Sequence, residues 1–175
     1  KTVMFDITFP EPESPQADVA LAQAIQRFSQ KERHNIILGY AAQSDDPSLD
    51  IPIPDALQIS AISGTPAETP MGGYQYLDKF NFAAPGLILF EANYGFISVD
   101  PDIDGVFRHA KLVFEKDKTF FPSLGFGGFA SYFADGKSKV IIESIPNSQE
   151  YSLKLQSESL ERTIPLSNRG EMKIR

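Results

Sequence analysis

The residues with the most chemical potential lie together in Asp100-Pro101-Asp102-Ile103-Asp104-Gly105. Carboxylates at alternate positions ahead of a glycine can converge on one hard cation, as in the first half of a calcium loop. The rest of such a loop needs a glutamate at its twelfth position. Counted from Asp100, that position is Lys111, a cation, so the full motif fails. Asp100, Asp102 and Asp104 are therefore read first as a polar turn capped by its own side chains, with a metal site as the weak alternative.

The same aspartates follow an apolar strand, Phe96-Ile97-Ser98-Val99. An Asp at a strand end with a second Asp two residues on loosely resembles the nucleophile motif of haloacid-dehalogenase-type phosphatases, which form an aspartyl-phosphate. Asp100 and Asp102 would then carry a phosphatase-like hydrolysis, but Asp104 stands where that motif expects Thr or Val. Other catalytic constellations are missing. The two histidines, His34 and His109, form no ligand-spaced pair, and no Gly-x-Ser-x-Gly accompanies them. With no cysteine, disulfides, thiol catalysis and thiolate metal sites are excluded. Gly125, Gly127 and Gly128 have neither dinucleotide nor phosphate-loop spacing and read as close helix packing. Asp6 and Asp18 flank the carboxyl end of the first strand, where α/β sheets often bind ligands, although Asp18 also suits a first helical turn. Asp6, Asp18, Asp104 and Arg108 are the candidate ligand contacts. Arg108 is equally suited to pairing with Asp104 as a structural partner.

These residues must be held by a folded chain, and the composition provides one. The 175 residues are 42% hydrophobic, enough for a sizeable core. The net charge of -7, without a dense basic patch, disfavours nucleic acid and anionic lipid. No run approaches the roughly 18 apolar residues of a membrane span. Both ends fall inside strand patterns, Thr2-Val3-Met4-Phe5 and Met172-Lys173-Ile174-Arg175. The expectation is one domain over residues 1–175, a fragment of a longer protein.

Val3, Phe5, Ile7 and Phe9 alternate with Met4, Asp6 and Thr8, predicting a strand with one strongly apolar face. Ser14-Pro15 reads as an N-cap with Pro at the first helical position, and Ala17, Leu21, Ala24, Ile25 and Phe28 form a helical stripe. The helix should run from Pro15 to Ser29. Asn35 to Tyr40 is continuously apolar, as in a strand covered on both faces. This strand–helix–strand order predicts a βαβ unit. A helical turn is expected near Pro54–Ser60 and a short helix after Pro85. Tyr94–Val99 and Val106–Phe114 read as a central hairpin across the Asp turn. Pro122–Phe133 reads as a helix, and Val140–Ser144, Tyr151–Gln156 and Arg162–Leu166 as strands. The fold class is α/β, or α+β, with a mixed β-sheet and flanking helices.

Several stretches together resemble a known family. Phe5-Asp6-Ile7-Thr8-Phe9, a Pro/Glu loop and Asp18-Val19-Ala20-Leu21-Ala22-Gln23-Ala24-Ile25 open the pattern. Asp102-Ile103-Asp104-Gly105-Val106-Phe107-Arg108, Phe121-Pro122-Ser123-Leu124 and Ile164-Pro165-Leu166-Ser167-Asn168-Arg169-Gly170 continue it in order over nearly the whole chain. They resemble the type-two CHASE domain, the cyclases/histidine kinases associated sensory extracellular domain. The resemblance implies a non-catalytic, extracytoplasmic input module of a bacterial membrane receptor. Parent proteins carry cytoplasmic adenylate or diguanylate cyclase, histidine kinase or Ser/Thr kinase domains. It implies no cofactor and no catalytic residue. The expected partner is an unidentified small molecule or a protein, a second copy included, and the membrane is met only through flanking helices. A dimerisation or docking module without ligand is the alternative.

Overall fold

The computed structural model describes residues 1–9, 11–32, 34–43, 52–58, 61–65, 71, 79–81, 92–99, 102–133, 139–158 and 161–174. The chain opens with β1 (Thr2–Phe5), α1 (Pro15–Ser29) and β2 (Asn35–Gln43), followed by the single turn α2 (Asp55–Gln58). Short strands β3 (Gly64–Thr65), β4 (Lys79–Asn81), β5 (Asn93–Phe96) and β6 (His109–Lys111) come next. β7 (Val113–Lys116) and β8 (Thr119–Pro122) lead into α3 (Leu124–Phe133). The chain closes with β9 (Lys139–Ser144), β10 (Tyr151–Gln156), β11 (Glu161–Leu166) and β12 (Glu171–Lys173). The fold is α+β, with helices flanking mixed sheets.

α1 forms where its capping chemistry places it. Ser14 is extended and its Oγ accepts the Ala17 amide at 3.2 Å, with Pro15 at the first helical position. Its apolar stripe, with Ala22 and Ile25 fully covered, lies on one face of a sheet in which β2 pairs parallel to both β1 and β5. The β2 residues Ile36, Leu38, Tyr40 and Ala42 face that side and join Tyr94, Phe96, Phe114 and Phe121 in one core. Ile37 faces the other way and is just as buried, because α3 covers the opposite face.

α3 lies very close to the sheet. Met4 and Ile37 occupy one row beneath it, and Gly39 and Gly95 the next. A Cβ at Gly95 would come within 2.5 Å of Leu124 Cα, and one at Gly128 would collide with Met4 Sδ. The glycine-rich sequence is thus a packing surface at Gly128 and, more loosely, at Gly127, while Gly125 faces open space.

The second half is a meander. β10 pairs antiparallel with β9 and β11, and its Tyr151, Leu153 and Leu155 point into a second core with Ile142, Phe120, Phe126 and Val113. Lys154 on the opposite face pairs with Glu143 at 2.6 Å. β7 and β8 stand between the cores as a hairpin buried on both faces. Val113 and Phe120 belong to the second core, and Phe114 and Phe121 to the first.

The expected hairpin between Tyr94–Val99 and Val106–Phe114 is not formed. β5 pairs with β2, β6 pairs with β12, and the central hairpin is β7–β8 instead. Its turn residues Asp117 and Lys118 both have positive φ, the backbone of a tight two-residue hairpin connection. The first strand ends at Phe5, and its apolar face is only partly covered. Phe5 and Phe9 pack on the core, whereas Val3 and Ile7 are exposed at the sheet edge. The stretch after Pro85 lies outside the described residues.

Candidate functional site

The segment entering β6 folds back on itself and is fastened by charge. Gly105 adopts φ 77, a left-handed conformation, and its amide donates to Asp102 O at 2.7 Å. The Asp102 amide donates to Val106 O at 3.1 Å, and Asp104 Oδ1 accepts the Val106 amide at 3.2 Å. Arg108 then closes the loop. Its Nη1 and Nη2 donate to the two carboxylate oxygens of Asp104, both at 2.8 Å, and Nη1 also reaches Asp102 Oδ2 at 3.1 Å. His109 Nδ1 stands 3.5 Å from Asp102 Oδ1. The guanidinium, helped by the Val106 amide, holds the Asp104 carboxyl below its usual range. Asp104 and then Asp102 hold Arg108 firmly protonated in return. The group is solvent-exposed, so its contribution is geometric more than energetic.

This clamp bears on the calcium and phosphatase readings. Asp102 and Asp104 direct their oxygens at Arg108 and not at a common cation site, and Asp100 lies outside the described residues. Among the described residues no group of three or more His, Cys, Asp or Glu could hold a metal ion.

The neighbouring strand β6 forms one wall of a cleft of about 470 Å³, within the range that suits a small molecule. Met4 and Asp6 enter from β1 and its end, Phe96 to Val99 from the end of β5, Ala110 and Lys111 from β6, and Ser123 to Gly125 from the start of α3. It therefore opens at the carboxyl ends of parallel strands, where α/β sheets bind their ligands. Its hydroxyls are already engaged. Ser98 Oγ donates to Ala42 O at 2.9 Å and accepts the Ala42 amide at 3.0 Å, while Ser123 Oγ accepts the Phe126 amide at 3.3 Å and caps α3. Lys111 also lines the cleft, with its ammonium buried. What remains is a mainly apolar lining with the exposed Asp6 carboxylate at its rim.

Of the four expected contacts, Asp104 and Arg108 meet each other, and Asp6 lines the cleft beyond them. Asp18 is elsewhere, in the first turn of α1, where its Oδ1 accepts the Glu13 amide at 3.4 Å. Sequence reasoning passed over the apolar lining at Ile97, Val99 and Leu124. Its signal was the strand-end rule already applied to Asp6, which holds equally for the end of the Phe96 strand.

The architecture is that of an α+β domain with a cleft at its parallel strand ends and no assembled catalytic group among the described residues. The CHASE2 domain model matches residues 1–175, and the chain belongs to the CHASE2 family, a non-catalytic family of extracellular sensory domains in signalling receptors. No curated protein and no solved structure gives a significant match. No helix among the described residues is long and apolar enough to cross a membrane.

Proposed function

We propose that this chain is the extracytoplasmic input module of a bacterial membrane receptor, and that the cleft between Asp6, the end of β5 and α3 takes its small-molecule ligand. The observation that carries this reading is the family match over the whole chain. The cleft adds chemistry. Apolar walls and one rim carboxylate suit a ligand with an apolar body and a cationic head. A ligand seated there touches β1, β5, β6 and α3 together, so it favours whichever arrangement of those elements fits it best. That differential affinity shifts a two-state equilibrium read by a cytoplasmic output domain such as a cyclase or kinase.

The test is a thermal-shift screen of the chain against arylalkyl amines, the matching carboxylates and calcium. An amine at about 100 times its Kd should add roughly 2.7 kcal/mol, several degrees in Tm, and the shift should vanish in Asp6→Asn. A flat panel, or a shift that survives Asp6→Asn, removes the cleft as the site. Turnover of any panel member by the purified chain would remove the sensory reading itself.

A further inference from the structure

A second cleft, of about 390 Å³, opens at the amino ends of the parallel strands and shares no described residue with the cleft at their carboxyl ends. Its volume falls in the range of small-molecule sites, roughly 300–1,000 Å³. Asn35 begins β2 and Asn93 begins β5. Asn35 shares a face of β2 with Ile37, and Ile37 is the register partner of Asn93, so both side chains stand on the α3 side of the sheet. Gly127, Ala130 and Ser131 of α3 line the cleft at helical spacing, and the first two are small enough to leave it open. The remaining wall belongs to the meander half. The Ile62 amide donates to Phe120 O at 2.8 Å, Ser63 O accepts the Ile142 amide at 3.0 Å, and Val140 of β9 completes the wall.

Hydrogen-bonding capacity is left over in this cleft. Asn35 Nδ2 reaches Ser131 O at 3.5 Å, which leaves the Asn35 side-chain oxygen to accept, and Ser131 Oγ donates to Gly128 O at 3.2 Å. The Asn93 carboxamide and the Ser63 hydroxyl engage no other group among the described residues. A carboxamide presents donors and an acceptor side by side, and a hydroxyl presents both at one atom. No described residue of the lining is Asp, Glu, Lys, Arg or His, so nothing there compensates the desolvation of an ionic ligand. The net charge of -7 opposes anions further. The polar groups come from four separate segments and so surround the space instead of forming one edge. Hydroxyls spread around a sugar ring meet that arrangement, whereas a planar base carries its donors and acceptors along its edges.

We propose that this second cleft binds a neutral saccharide, with the Asn35 and Asn93 carboxamides on the sheet side and Ser63 on the meander side holding its hydroxyls. A sugar seated there touches the parallel half and the meander half together. The site is separate from the one that takes the amine and does not depend on it.

The test is calorimetric titration of the 175-residue chain with glucose, galactose and maltose, and with glucuronate and, at mildly acidic pH, glucosamine as charged counterparts. At least one neutral sugar should bind saturably, and its charged counterparts should bind at least roughly tenfold more weakly. Asn93→Leu, of nearly the same size, should weaken the neutral sugar about tenfold without lowering Tm of the free chain. Ser63→Trp, at an exposed side chain, should fill the cleft and abolish binding, which keeps the test sound if Asn93→Leu folds poorly. No saturable heat with any neutral sugar overturns the proposal. A Tm that only climbs steadily with sugar concentration counts the same way, because it reports exclusion from the protein surface. Equal affinity for the charged counterparts, or binding that survives Ser63→Trp, also overturns it. A sugar whose binding is lost in Asp6→Asn sits in the first cleft and overturns it as well.

Discussion

The β1–β2–β5 sheet and the β9–β10–β11 meander solve the same burial problem in opposite ways. Along β10 buried and half-buried residues alternate, so the meander has one dry face and one wet face and needs cover on only one side. β2 buries side chains on both faces and depends on α1 and α3 for cover. A sheet covered in that way leaves its strand ends open, and that is where the cleft lies. The meander consumes its apolar surface in folding, while the parallel half leaves Met4, Ile7, Phe129 and Tyr132 exposed.

The difference can be sharpened by substitution. Leu153→Ala, in the fully buried row of β10, should cost about 2–5 kcal/mol by denaturant unfolding, because a well-packed core cannot collapse around the void. If the loss is well below that, the meander is less tightly packed than its alternation implies. The parallel half should show the reverse sensitivity, to added volume. Gly95→Ala adds one methyl group against the Leu124 backbone and should cost about 1–3 kcal/mol. Gly125→Ala on the open flank of the same helix should instead stabilise by up to about 1 kcal/mol. Equal responses at the two glycines would mean that α3 is not held close to the sheet.

The smallest effect belongs to the clamp outside both cores. The folded Asp104 carboxyl binds its proton less readily than the unfolded one. Its stabilising contribution is therefore present above the ordinary carboxylate range and is lost as pH falls through its lowered value. Asp104→Asn should slightly lower Tm at neutral pH and flatten the acid limb of the Tm–pH curve, and salt should shrink the difference. An unchanged acid limb would show that the Arg108 contact contributes nothing to folding.

How much of this was legible in the sequence depended on whether the cause was local. α1 was readable to its ends because Ser14, Pro15 and the Ala17–Phe28 stripe act within the helix itself. β9, β10 and β11 were readable from their short apolar runs and turns. The central region misled because Val106–Phe114 reads as one strand in sequence but serves separate partners in space. His109–Lys111 goes to β12 and Val113–Lys116 to β8. The polar run Glu115–Thr119 between apolar Leu112–Phe114 and Phe120–Phe121 was the available sign of the true hairpin. At the site, the Asp104–Arg108 pairing and the strand-end position of Asp6 were visible from spacing. The cleft's apolar walls were not, since they assemble from four elements distant in sequence. Asp18 shows the limit of the same rule, because a carboxylate in a first helical turn finds its partner in the chain just ahead of the helix.

The β7–β8 hairpin has one further consequence. Val113 and Phe120 look one way and Phe114 and Phe121 the other, so the two cores share a single partition, one layer thick and two strands wide. Protein interiors are hard to compress and pass strain on. A tilt of this ribbon that relaxes the packing on one side tightens it on the other. The two halves therefore lean on one ribbon like the pans of a balance, and the strand and helix on either flank of that ribbon are also walls of the cleft.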